Sequence, residues 1–183
     1  MNTNSSKMTQ LVVLSAVGTD RPGVVNDLSK VILDSGGNIE ESRMTTLGSE
    51  FAMLLLVSGN WAAIGKLEKA LEQLSKDKPL SISVRKTGEH SHDGNRMPYG
   101  IDIVSLDQPG IVFNLANFFA AQDIEIADLS TRRYAAAHTG SQMFAVQMTI
   151  NVPGSVSISQ LRDEFLELCD QLNLDAILDP VKS

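Results

Sequence analysis

The chain has one cysteine, Cys169, among 183 residues, so no internal disulfide framework can exist. A lone thiol fits a reducing compartment, and the expected location is the cytoplasm. Histidine occurs three times and aromatic residues make up 5%. So few imidazoles leave little material for a catalytic triad or a histidine-based metal site. His90 and His92 form a His-Ser-His pair, but a structural zinc site needs about four ligands, and the only cysteine lies far away. No apolar run approaches the ~18 residues of a membrane span, so no membrane partner is expected. Met1 to Lys7 is polar and lacks the apolar centre of a secretory signal, so residues 1–8 read as a disordered lead-in.

Basic charge is also scarce. The formal net charge is -7. A protein that grips DNA directly usually carries a basic stripe, because phosphate neutralisation dominates affinity. None is visible, nor is a helix-turn-helix pattern, so no direct nucleic-acid contact is expected. The acidity is uneven. Residues 1–88 hold 10 Lys/Arg against 9 Asp/Glu, and the remainder holds 5 against 13. There is no Walker loop, His-Glu-x-x-His, Gly-x-Ser-x-Gly or dinucleotide fingerprint. The expectation is a non-enzyme with no cofactor and no metal.

What the chain does contain is a repeat. Asp20-Arg21-Pro22-Gly23-Val24-Val25-Asn26-Asp27-Leu28 has a partner 87 residues later in Asp107-Gln108-Pro109-Gly110-Ile111-Val112-Phe113-Asn114-Leu115. The same spacing places Asn38-Ile39 on Glu125-Ile126. Such self-similarity at a fixed offset marks a duplicated structural unit.

Periodicity gives the elements of each copy. In the first, Leu11 to Val17 reads as a strand. Asp20 is placed to cap a helix whose first turn holds Pro22. Val24, Leu28, Val31 and Ile32 then recur at helical spacing up to Ser35-Gly36-Gly37. Ile39 to Leu47 and Glu50 to Ser58 are strands joined at Gly48-Ser49, a two-residue hairpin signal. Asn60 caps a helix with Ile64, Leu67, Leu71 and Leu74 on its inner face. Leu80, Ile82 and Val84 alternate as a last strand.

The second copy follows suit. Ile101 to Leu106, Ile126 to Tyr134, Gln142 to Ile150 and Leu174 to Leu178 are its strands. Ile111, Leu115 and Phe118 or Phe119 mark one helix. Ser157 with Gln160 forms a capping box ahead of the other. Cys169 lies on the apolar face of that last helix and reads as a core residue. Trp61 reads as a packing residue, and Arg132-Arg133 as a solvated strand end.

Each copy is therefore β-α-β-β-α-β, the ferredoxin-like order. The fold class is α+β: two tandem units, each an antiparallel sheet with its helices on one face. Residues 9–86 form the first unit, 87–98 a linker and 99–180 the second. The third strand of the first unit, Phe51 to Val57, is apolar at every position, which is the pattern of a strand buried on both faces. Its helix-free face therefore calls for a cover, from the other unit or from a second chain, and a homodimer is one way to provide it.

The Asp-Arg-Pro-Gly and Asp-Gln-Pro-Gly turns, together with Gly37-Asn38-Ile39, resemble the signature of the ACT-domain family. The match runs from about Met8 to Pro180. The stretch Gly36 to Met44, and a layout of two ACT units and nothing else, resemble the transcriptional repressors within that family. The resemblance implies a regulator that answers to an amino acid, glycine among the candidates. It further implies repression of transcription through a partner protein, a DNA-binding activator. The alternative is a sensing subunit that binds and regulates a metabolic enzyme.

The resemblance places the ligand at the turn between first strand and first helix. A helix N-terminus offers unpaired N–H groups and partial positive charge to a carboxylate. The expected ligand-binding residues are Asp20, Gly23, Val24, Val25, Asn38 and Ile39, with Asp107, Gly110, Ile111 and Val112 in the second copy. Asn38 is expected to reach the same ligand as Gly23, with Gly36 and Gly37 keeping its approach uncrowded. The second copy carries Ile124 and Glu125 where the first has Gly37 and Asn38, so weaker binding is expected there.

Overall fold

The computed structural model describes residues 9–88 and 94–181. The lead-in, His90 and His92 lie outside the described residues. The chain divides into two units, Met1–Ser91 and His92–Ser183.

In the first unit the order is β1 (Gln10–Thr19), α1 (Val24–Ser35), β2 (Asn38–Leu47), β3 (Glu50–Gly59), α2 (Trp61–Asp77) and β4 (Leu80–Thr87). The second has β5 (Arg96–Leu106), α3 (Ile111–Ala120), β6 (Glu125–Ala135), β7 (Gln142–Pro153), α4 (Ile158–Gln171) and β8 (Asp175–Pro180). Each sheet has four antiparallel strands, ordered β2-β3-β1-β4 and β6-β7-β5-β8. This is the expected pair of ferredoxin-like units.

Side-chain alternation explains how each sheet packs. Val12, Leu14 and Ala16 of β1 and Phe51, Leu55 and Val57 of β3 are fully buried. They meet Val24, Leu28 and Ile32 of α1 and Ile64, Leu67 and Leu71 of α2. The residues between them on each strand point to the helix-free face. In the second unit Phe119 and Phe165 lie at the centre with ring centroids 5.6 Å apart, and Phe118 packs against both. Cys169 is a core residue, 1% exposed.

Several local expectations are revised. Asp20 does not cap α1. Arg21 to Val24 instead forms a turn in which the Val24 N–H donates to Arg21 O at 3.4 Å and Gly23 takes φ 89 and ψ -3. A type II turn puts proline second and requires positive φ third, which is the pattern of Pro22-Gly23. Gly110 repeats it with φ 90 and ψ 0. The Asp-x-Pro-Gly repeat is thus first a backbone requirement, since a Cβ at either glycine would be strained.

The Asn60 cap forms, its Oδ1 accepting from the Ala63 N–H at 2.8 Å. The Ser157 capping box does not. Ser157 Oγ lies 3.1 Å from Ser159 Oγ, and Gln160 donates forward along α4 to Glu164. Trp61 does not pack inside; it is 77% exposed at the start of α2. Thr87 ends β4, and β5 begins at Arg96, pairing Arg96, Met97 and Pro98 with the end of β7. Four residues expected in the linker, Thr87, Arg96, Met97 and Pro98, are therefore strand. A proline is tolerated so near a strand's start, and polar neighbours hide the period-2 pattern there.

Candidate effector site

The turn after β1 is held from both sides. The Asp20 N–H donates to Ser49 O at 3.0 Å, tying it to the β2–β3 hairpin. Arg21 crosses the first turn of α1 to Asp27, Nη2 to Oδ2 at 2.5 Å. That guanidinium hydrogen bond holds the Asp27 carboxyl below its ordinary value, with desolvation acting in the opposite direction. An acidic residue in the first turn also complements the helix dipole. Val24 turns its side chain into the core at 2% exposure, whereas Val25 is 38% exposed.

In the second unit the ion pair is gone. Gln108 and Asn114 stand at the positions of Arg21 and Asp27, and Gln108 Nε2 donates to Leu172 O at 2.7 Å. Asp107 instead meets Arg133, Nε to Oδ2 at 3.1 Å, so Arg133 is not a purely solvated strand end. Arg132 lies over the Tyr134 ring at 5.4 Å. Ile111 is buried and begins α3, and Val112 follows it, partly exposed.

Asn38 is not beside Gly23. Asp20, Gly23, Val24 and Val25 cluster at the end of the unit where β1 finishes. Asn38 and Ile39 begin β2 at the other end, with Asn38 opposite Ser58 and Ser58 opposite Leu11 near the start of β1. Between the two groups runs the whole of α1, 12 residues, or about 18 Å at 1.5 Å per residue. One amino acid cannot span that distance, so a single unit does not bring these residues to a common ligand.

Asn38 does take part in a cluster that sequence reasoning missed. Its Nδ2 donates to Glu40 Oε1 at 2.9 Å, and Ser58 Oγ donates to the same oxygen. These donors, Ser58 foremost, hold the Glu40 carboxyl below its ordinary value. The one available hint was the Asn-x-Glu spacing, which on a strand puts both side chains on one face. The second unit reverses the arrangement: Asn151 donates to Glu125 at 3.4 Å.

The glycines before Asn38 serve the backbone. Gly36 is the left-handed helix end, φ 82. A Cβ on Gly37 would lie 3.1 Å from Val57 and 3.2 Å from Ile32. In the second unit Ile124 takes that place and is itself core, 5% exposed.

A family model for the ACT domain matches residues 10–85, spanning β1 to β4. The Galdieria sulphuraria protein of unknown function has a solved structure that superposes at a TM-score of 0.80, with 27% identity over 95% of this chain and 99% of that one. A solved structure described as a proposed glycine cleavage system transcriptional repressor is 30% identical, covers 96% of this chain and 99% of its own, and gives a TM-score of 0.74. The chain belongs to the ACT-domain family. The Escherichia coli glycine cleavage system transcriptional repressor is 29% identical over 170 residues, which is 93% of this chain and 90% of that protein. The family model matches the first unit, and the three similarities to whole proteins run through both. Among the described residues no helix is long and apolar enough to cross a membrane, and no group of three His, Cys, Asp or Glu is placed to hold a metal ion.

Proposed function

We propose that this tandem ACT protein is an amino-acid-responsive repressor of glycine cleavage system transcription that works through a DNA-binding partner protein. The observation that supports this most is the similarity to the glycine cleavage repressor along nearly the whole of both chains, two ACT units included. Charge supports the indirect mode. A chain of net charge -7 has no surplus of cations to displace counterions from DNA, so the operator contacts fall to a partner. The acidic second unit is suited to meet a basic protein surface. The protein acts in the cytoplasm and carries no catalytic step.

The effector is an amino acid, with glycine the first to test. Its carboxylate meets the N–H groups at the start of α1 from Gly23 to Val25, with the Val24 N–H shared with its long 3.4 Å turn bond to Arg21 O. Gly23 leaves the backbone open to close approach, and Asp20 offers a carboxylate to the ammonium. Asn38 and Ile39 belong to the same site only when they come from another copy of the unit, because α1 separates them from their own turn. The turn at Asp107, Gly110, Ile111 and Val112 is a second candidate site, and the Asp107–Arg133 pair makes it a different one. Calorimetric titration of the whole protein with a panel of amino acids tests the sensing role. Saturable binding of glycine or another amino acid supports it, and an absence of binding across the panel overturns it.

A further inference from the structure

We propose that the helix-free face of the first sheet is a two-fold interface with the same face of a second copy of this chain.

The strand registers lay that face out as rows. One row is Glu41, Leu56, Val13 and Arg85, across β2, β3, β1 and β4. The next is Arg43, Leu54, Ser15 and Ser83, and the third is Thr45, Ala52, Val17 and Ser81. The middle columns are mostly apolar. Leu54 is 53% exposed and Val17 46%, and a groove runs between Val13, Leu54, Leu56, Glu41 and Arg43. Among the described residues of the first unit, nothing covers these side chains. The second sheet is more polar on this face. Its matching rows are Asp128, Thr149, Gly100, Asp179, then Ser130, Gln147, Asp102, Ile177, then Arg132, Ala145, Val104, Asp175; Val104 and Ile177 are its exposed apolar members, and Gln147 donates to Asp102 across the face at 3.2 Å. A polar, acidic face can stay wet; the first one is built to be covered.

The rows indicate what covers it. Take a two-fold axis along the strands, between β1 and β3. It lays β3 over the partner's β1 and β2 over the partner's β4. Leu54 then falls on the copy of Ser15, Val17 on the copy of Ala52, and Leu56 on the copy of Val13. In two of the three contacts a larger side chain meets a small one, as interdigitating sheets favour, and in the third two apolar side chains meet. The same operation places Glu41 on the copy of Arg85 at both ends of the row, so two opposite-charge pairs close the rim. Glu41 also lies 3.5 Å from Arg43 of its own strand; such an exposed pair is weak enough to be shared with the incoming Arg85. Four strands about 4.8 Å apart and some ten residues long give a footprint of about 600 Å². That approaches the ~800 Å² per partner of an ordinary stable interface.

Sedimentation of the intact chain over a range of concentrations tests this, with circular dichroism as the folding control. The wild type should dimerise, and Leu54→Arg should be a folded monomer. Glu41→Arg or Arg85→Glu alone should raise the dissociation constant about ten-fold. The double variant Glu41→Arg/Arg85→Glu should restore it, because the axis pairs these two positions with each other. A wild type that stays monomeric at every concentration overturns the proposal, whether the face is then covered by the second unit or left bare. A dimer indifferent to Leu54→Arg, or one the double reversal does not rescue, also overturns it.

Discussion

Arg21 Nη2 lies 2.5 Å from Asp27 Oδ2, closing an ion pair over the first turn of α1, where the second ACT unit has the neutral pair Gln108 and Asn114. The start of α1 is therefore charge-balanced within the first unit, and any anionic ligand arriving there meets a guanidinium already engaged.

Asp27 should titrate below its ordinary 3.8 in the folded protein, mainly because Arg21 donates to it. A carboxyl held low when folded adds stability above its unfolded value, and that stability is lost as pH falls through the folded value. The loss should therefore come in the acid range below about 4. Arg21→Ala should raise the Asp27 value toward 3.8, as read by NMR titration of the side-chain carboxyl. An unchanged value would show that Arg21 is not the cause.

Gly23 and Gly65 should respond oppositely to alanine. Gly23 sits at φ 89, so Gly23→Ala should cost about 1–3 kcal/mol. Gly65 lies inside α2, and a Cβ there would meet nothing within 4 Å. Gly65→Ala should stabilise by about 0.5–1 kcal/mol through helix propensity. Urea denaturation of both variants reads the signs; a neutral Gly23→Ala would remove the backbone explanation of the Asp-x-Pro-Gly repeat.

Cys169 should be inert in the native state. Burial, with Asp170 adding to it, pushes its thiol up to about 11, so almost no thiolate exists at pH 7. A thiol reagent should react with native protein far more slowly than with protein unfolded in urea. Equal rates would mean that the α4 core face opens readily.

Much of the architecture was legible because hydrophobic period survives in both copies. Val24, Leu28 and Ile32 mark α1, Ile64, Leu67 and Leu71 mark α2, and all six are buried. What could not be read was local competition between partners. Asp20 looks like a cap, yet the Pro22-Gly23 turn closes first. Ser157 looks like half of a capping box, yet Ser159 is nearer to hand. The site suffered from a different gap. Gly23 and Asn38 flank one helix in sequence, and sequence alone gives no warning that a helix carries its two ends apart. The start of β5 was hidden because Arg96, Met97 and Pro98 do not alternate in polarity as Ile101 to Leu106 do.

The separation of Gly23 from Asn38 also makes a prediction about the effector. If one ligand uses both, it bridges two copies. Asn38→Ala should then weaken its binding by about ten- to a hundred-fold, the worth of one hydrogen bond to a charged group. The loss should appear only at protein concentrations where copies associate. Calorimetry of Asn38→Ala at low and high protein concentration distinguishes this from a site within one unit. Equal losses at both concentrations would contradict a bridging site.

The central claim is repression that responds to an amino acid and needs a partner, and a reporter driven by a glycine cleavage promoter measures it most directly. Expression of this chain should lower reporter output, the lowering should change with added glycine, and it should vanish in cells lacking the promoter's DNA-binding activator. In a gel shift the purified chain alone should leave promoter DNA unshifted. Output that ignores the chain, or repression that persists without the activator and accompanies a sequence-specific shift by the chain alone, would contradict the account.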